Sequence, residues 1–426
     1  MRDKQNLTSM NHPIKRHLKL LFASLLFLIG AIAMLRDTYY QGQDFEVYWR
    51  AGRAAFEKKS IYSGMGGNGM YFKYPPWILP AFIPFALVPL KLAKIFFGIL
   101  EVFSLLSILV FLSRLRYKLR SLVIVTLLFW GIWAVHALDG QIVLPLVALV
   151  IWLKPTLEHT RKHFWSEIFI FWALSAKVFS LFAFFGALHN NRILLSTSTS
   201  LVTRPKGHKL RLFASIFIAM QVLSAPALIS LPYKYPLDLY KDWIQAASSG
   251  DQAFGFEKIS GRENQGLPAL VLRRFFSENT ANSYTAPAIS LALMFIFGLL
   301  WLSLACSHKP TPPATSPGEV NDVEKWFGWL ALVPVVHPLA WNHLFIFSFP
   351  LAVTVVDRSL KLKNLSTTLL ALLGVICIAA VSRNTFGNLG EELELLSIRS
   401  WGVLICLFVT LKINYKHRGL QEVSAA

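Results

Sequence analysis

Tyr74 to Arg120 reads YPPWILPAFIPFALVPLKLAKIFFGILEVFSLLSILVFLSRLRYKLR, and the number of times it crosses a membrane decides the arrangement of everything around it. Two crossings would put Arg114, Arg116, Lys118 and Arg120 outside, against the tendency of cationic loops to stay cytoplasmic. One crossing, at about 91–113, keeps them inside. Pro75, Pro76, Pro80, Pro84 and Pro89 also interrupt the first part, because each removes an amide donor and fixes φ. The stretch therefore reads as a broken, interfacial segment followed by one helix.

Both flanks continue in the same character. Hydrophobic residues make up 54% of the 426 and charged residues only 15%, with a mean hydropathy of +0.50; soluble domains carry about 25% charge. The first apolar run, about 19–35, contains Ala31-Ile32-Ala33, which resembles a signal-peptidase site. It is longer than a signal core and more runs follow, so it reads as an uncleaved anchor. Further runs lie at about 120–136, 141–153, 164–176, 178–189, 211–231, 284–305, 326–336, 344–356, 365–382 and 399–412, each bounded by polar residues.

The expectation is an all-α polytopic membrane protein, one domain over 1–426, with about 12 transmembrane helices and both termini cytoplasmic. A first outer loop covers about 37–90 with interfacial helices, a second about 232–283, and a cytoplasmic linker rich in Pro, Thr and Ser about 306–325. No internal repeat is visible. The net charge of +19 is explained by cationic cytoplasmic loops, so nucleic acid is not expected as a partner. Three cysteines, at 306, 377 and 406, offer neither a disulfide framework nor metal spacing.

The polar clusters left over from this charge bias all fall on the outer side: Asp44, Tyr74, Asp139-Gly140-Gln141, Lys177, Asn264-Gln265 and Trp341-Asn342-His343. Asp44 follows the first span, where partial desolvation suits a carboxylate to act as general base; a helix cap or solvated loop charge is the plainer reading. Tyr74-Pro75-Pro76 pins an extended backbone at a cavity mouth or a simple re-entry turn. Asp139-Gly140-Gln141 reads mainly as turn chemistry, with Gln141 as a weaker contact to sugar hydroxyls. Lys177 stands between apolar runs with no acidic neighbour. It either grips a lipid-linked phosphate or snorkels to the interface. His337 and His343 bracket Pro338 and Trp341, and their spacing matches no common zinc pattern. In the second outer loop Arg262, Asn264 and Gln265 suit phosphates and hydroxyls, or a solvated loop. Glu101, mid-span, reads as a partner for another helix.

The order of these clusters resembles glycosyltransferase family 87. Asp-x-x-x-Tyr-x-x-Ala-Gly at Asp44 to Gly52, Tyr62, Tyr74-Pro75-Pro76 and Pro84-x-x-x-x-Pro89 are similar to the opening of that family. Gly140-Gln141, Ala176-Lys177, Asn264-Gln265 and Pro338-x-x-Trp341-x-His343 resemble later positions in the same order, over about residues 40–355. The chain departs at Val178-Phe179, where members often carry proline, and at Val143, where asparagine is common.

The resemblance implies the C-type glycosyltransferase fold and inverting transfer of a hexosyl residue, mannose first among them, from a polyprenyl-phosphate donor. The acceptor would be a glycan or glycolipid hydroxyl on the outer face of a bacterial cytoplasmic membrane. Asp44 would be the catalytic base, with Tyr48, Tyr74, Gln141, Lys177, Arg262, Asn264, Gln265, Trp341 and His343 as substrate-binding residues. No cofactor is implied, and a divalent metal stays open. Two other classes compete: a transporter or flippase of a lipid-linked sugar, which needs access from both faces and often shows repeats, and a structural subunit, which leaves Asp44 and Lys177 without a task.

Overall fold

Pro75 takes an extended conformation with φ −56° and ψ 149°, and the proline-rich run after it cannot form a straight span. It folds instead into a 3-10 turn, Pro76–Ala81, and one turn of helix, Ile83–Ala86. A single 25-residue helix, Leu90–Arg114, then begins after Pro89. This is a computed structural model; it describes residues 2–62, 70–159, 163–184, 208–230, 236–249, 256–280, 284–306 and 322–425. Regular structure among the described residues is entirely helical.

Leu90–Arg114 shows how the sequence sorts its faces. Leu92, Ile95, Phe96, Ile99, Phe103, Leu106 and Val110 point outwards, at spacings that keep them on one stripe. The opposite face buries Ala93, Phe97, Leu105 and Ile108 together with Lys94, Glu101 and Ser104. Polar groups therefore face the protein and apolar groups face outwards, the pattern of a helix solvated by lipid.

Five described helices are long and apolar enough to cross a membrane, or seven if each of two bent pairs counts as one span. The five are Leu21–Tyr40, Leu90–Arg114, Arg211–Ile229, Thr285–Ser303 and Asn342–Lys361. Among the described residues length and composition thus mark five to seven spans of the expected dozen, and bends and short helices account for part of the difference. Leu119–Leu128 and Trp130–Asp139 meet at 56°, and Leu365–Ala379 and Arg383–Leu395 at 98°. Val143–Lys154 and Trp165–Ser175 are apolar but short. The return run expected at 178–189 starts as a 3-10 turn, Val178–Ser180, and its remainder beyond 184 lies outside the described residues, as does most of the linker at 306–325.

Burial separates centre from periphery. Asn342–Lys361 has 89% of its apolar window buried, whereas Leu21–Tyr40, Arg211–Ile229 and Thr285–Ser303 have 17%, 28% and 22%. The buried helix Asp322–Val336 packs beside Asn342–Lys361, with Trp326, Phe327, Phe345 and Phe347 fully enclosed. Elsewhere Leu365–Ala379 and Ile398–Ala425 approach closely through Gly374 and Gly402. A β-carbon on Gly402 would come within 2.6 Å of the Gly374 carbonyl oxygen. Small residues at such a crossing let two backbones pack without a hydrophobic driving force between them.

The described parts of the two expected outer loops contain helices that touch one another. The amphipathic helix Gln43–Phe56 buries Phe45, Tyr48, Ala51 and Ala55. Pro236–Ser249, from the second loop, brings Trp243 to 5.4 Å from Trp77 between ring centres, and the Trp243 indole donates to the Lys73 carbonyl at 3.2 Å. Trp77 in turn donates to Ser175 Oγ at 2.8 Å, and Trp172 donates to the Trp77 carbonyl at 2.9 Å. These indoles tie the Tyr74 segment to the end of the helix that precedes Lys177.

Candidate active site

Two glycines in the left-handed region place the first polar pair. Gly42, φ 51°, ends the N-terminal helix and starts Gln43–Phe56; Gly140, φ 67°, ends Trp130–Asp139. The Gly42 amide donates to the Leu138 carbonyl at 2.8 Å. A β-carbon on Gly140 would lie 2.8 Å from Phe45 Cβ and 3.0 Å from Gly42 Cα, so only glycine permits this contact. The turns are thereby pressed together, and Gln141 Nε2 donates to Asp44 Oδ2.

Gln141 also links onwards. Lys177 Nζ donates to Gln141 Oε1 at 3.3 Å and sits 5.1 Å from the centre of the Tyr74 ring. No direct ion pair joins Asp44 to Lys177; the amide stands between them. Tyr74 is fixed from two sides, its hydroxyl 2.8 Å from that of Tyr48 and its carbonyl accepting from the Tyr62 hydroxyl at 3.1 Å.

All of these but Tyr62 line one cavity of about 370 Å³, within the usual range for small-molecule sites of about 300–1,000 Å³. Asp44, Tyr48, Tyr74, Gln141, Lys177, Trp341 and His343 are brought together there. The lining also includes Lys73, Lys258, His337, Met70 and Tyr71. Of these His337 was visible as one of a bracketing pair, and Lys73 directly precedes the quoted Tyr74 stretch. Nothing in the Phe256-Glu257-Lys258 pattern marks Lys258.

Arg262, Asn264 and Gln265 do not line the cavity. Arg262 pairs with Glu391, nitrogen to oxygen 2.5 Å. Asn264 is fully buried and donates to the carbonyls of Ile259 and Pro338 at 3.0 and 2.7 Å, while its oxygen accepts from the Ala340 amide at 2.8 Å. Gln265 donates to the carbonyls of Arg262 and Glu394. The Asn264 and Gln265 side chains satisfy buried backbone groups, and Asn264 holds the Pro338–Ala340 loop, between His337 and Trp341. Their effect on the cavity is therefore indirect.

Electrostatics give Asp44 its character. It lies in the first turn of its helix, where the helix dipole favours a negative charge. Burial outweighs this and pushes the carboxyl up to about 6 from 3.8; Asp139 adds to the rise, while Lys177, the Gln141 hydrogen bond and Lys73 oppose it. A carboxylate so placed is ionised at neutral pH yet holds a proton far better than an ordinary aspartate. Burial raises the Tyr48 phenol well above its usual value, so it remains a neutral donor.

The histidines differ. His337 Nδ1 accepts from the Leu339 amide at 3.0 Å, which puts its proton on Nε2. His343 Nδ1 stands 3.7 Å from Asp139 Oδ2 without an aligned hydrogen bond. Lys258 lies 5.6 Å from the centre of the Trp341 ring. Among the described residues no group of three or more His, Cys, Asp or Glu side chains is placed to hold a metal ion.

A second, apolar groove of about 730 Å³ begins at Val178 and Phe179, directly after Lys177, and runs between Leu181, Phe182, Leu291, Phe295 and Trp329. The Phe179 ring lies 5.3 Å from that of His337, a cavity residue, so groove and cavity are neighbours with this ring pair between them. No family profile, curated protein or solved structure matches the chain.

Proposed function

We infer that the cavity transfers a hexosyl group, with inversion, from a polyprenyl-phosphate donor to a hydroxyl of a glycan or glycolipid. The observation that carries this reading is the placement of Asp44 and Lys177 at the two ends of Gln141 in one cavity, with an apolar groove starting beside the lysine. Asp44 takes the proton from the acceptor hydroxyl, and the oxygen attacks the anomeric carbon. The bond from that carbon to the phosphate oxygen breaks on the opposite face. The polyprenyl phosphate leaves with an added negative charge, which Lys177 meets.

Lysine is suited to this as a compact charge, and the neutral Nε2–H of His337 offers a second donor. Tyr74 and Trp341 supply the aromatic faces and Gln141 the amide that sugar hydroxyls require. The groove fits an isoprenoid chain with its phosphate at Lys177, which favours a lipid-linked donor over a nucleotide sugar. In keeping with the family resemblance, the full reading is a C-type fold of about a dozen crossings in a bacterial cytoplasmic membrane, with the cavity extracytoplasmic.

The test is transfer by purified full-length protein with radiolabelled polyprenyl-phosphate-mannose and a panel of acceptors, with product anomers determined. Inverted product from wild type and none from a folded Asp44→Asn variant is the expected result. Binding of the donor without turnover, together with movement of the lipid between leaflets of a vesicle, would replace the transferase with a flippase.

A further inference from the structure

Beneath the Gly140–Gln141 turn, three polar side chains from three helices meet, and the proposed reaction uses none of them. Thr38, Glu101 and His136 are all fully buried. Thr38 Oγ1 lies 2.6 Å from Glu101 Oε2 and 3.2 Å from the Ala137 carbonyl. His136 Nδ1 lies 2.9 Å from Glu101 Oε1, a bent approach in which neither atom completes a well-aligned hydrogen bond. On the other side of the ring, His136 Nε2 accepts from the Leu144 amide at 3.0 Å.

Counting protons decides the state of this group. Because Nε2 is an acceptor, the single proton of a neutral imidazole sits on Nδ1 and faces Glu101. Thr38 has one hydroxyl proton but two oxygens within reach. If it donates to Glu101, the Ala137 carbonyl keeps only the Gly140 amide, at 3.2 Å, and an anionic carboxylate lies enclosed between neutral groups, an arrangement that is unfavourable. If Glu101 carries the proton, it donates to Thr38, Thr38 donates to Ala137, and His136 faces a carbonyl-like oxygen. Only this second arrangement gives Thr38 and Glu101 donors and acceptors without an isolated charge.

The same histidine governs the active-site turn. Its carbonyl accepts from the amides of both Gly140 and Gln141, at 3.0 and 3.2 Å, and its ring anchors the first turn of the helix that follows Gln141. The next residues complete the link, since the Leu138 carbonyl holds Gly42.

We propose that Glu101 is a positioning residue that works as a neutral carboxylic acid, clamping His136 and through it the turn that presents Gln141 to Asp44 and Lys177. The activity arm of its test rests on the transferase reading; the spectroscopic arm does not. Glu101→Gln keeps one oxygen for His136 and one donor for Thr38, so the clamp survives the loss of the acid. Glu101→Leu removes both.

Infrared spectra of purified full-length protein at neutral pH are expected to show a protonated-carboxyl band that Glu101→Gln lacks. Glu101→Gln is expected to retain most of the wild-type kcat and donor KM. Glu101→Leu should lose about 100-fold in kcat through misplacement of Gln141. If Glu101→Leu fails to fold, Thr38→Val, which deletes one hydroxyl, takes its place with a loss in the same direction. Absence of the band in wild type, or a Glu101→Gln variant as impaired as Glu101→Leu, would overturn the proposal and make Glu101 a charge or proton carrier. Lack of transfer by wild type itself would remove the transferase reading while the band still decides the protonation of Glu101.

Discussion

Two charged regions of this molecule are built on opposite plans. At one end Glu324, Arg358, Asp357 and Lys361 form tight pairs. Arg358 Nε donates to Glu324 at 3.0 Å, Tyr117 donates to the same oxygen at 2.8 Å, and Lys361 meets Asp357 at 2.5 Å. Asp357 further accepts from the Lys118 amide and from Ser121 at 2.8 and 3.0 Å. In the cavity, by contrast, Asp44 and Lys177 are kept apart by a neutral amide and both face open space. The first plan consumes its charges in holding helices together. The second leaves them available to a ligand, which is the physical difference between a clamp and a site.

The sharpest way to break this comparison is Asp44→Asn. It should lower turnover by about 10³-fold, the effect of removing a positioned base, with little change in thermal unfolding. Unchanged turnover in a folded variant would make the cavity charge as structural as the clamp. Next in size, Arg358→Leu leaves Glu324 buried without its cation and should destabilise by about 3–5 kcal/mol in detergent, while transfer per folded molecule stays near wild type. A selective loss of catalysis there would erase the distinction from the other side.

Lys177→Ala is expected to raise the donor KM by about 10–100-fold, more than it lowers kcat. Unaltered donor saturation would mean that the lysine only snorkels. The smallest effect is the pH response. Asp44 is held up at about 6, and a base must be ionised to act, so kcat/KM should fall about tenfold per pH unit below that value and level off above it. A profile flat between pH 5 and 7 would separate the carboxylate from the rate.

Much of this site could be read from where polar residues interrupt apolar runs. Asp44, Gln141, Lys177 and His343 each stand at a helix end or in a turn, and a charge or amide there is conspicuous against the apolar background. Asn264 and Gln265 were equally conspicuous, yet they serve backbone carbonyls of Pro338 and Glu394, partners that a side-chain pattern does not display. The single helix after Pro89 was legible because proline acts locally. The bends near Phe129 and Ala380 were not, because an apolar run records length and not direction. Lys258 entered the cavity through packing of the second loop, which no local signal announces.

The contact between Gly42 and Gly140 gives the protein an unusual kind of fragility. One added methyl at position 140 would act as a spacer, lifting the Asp44 carboxylate off its amide bridge without touching any ionisable group. A random screen for null alleles that still insert in the membrane should therefore return this chemically inert position alongside the charged ones.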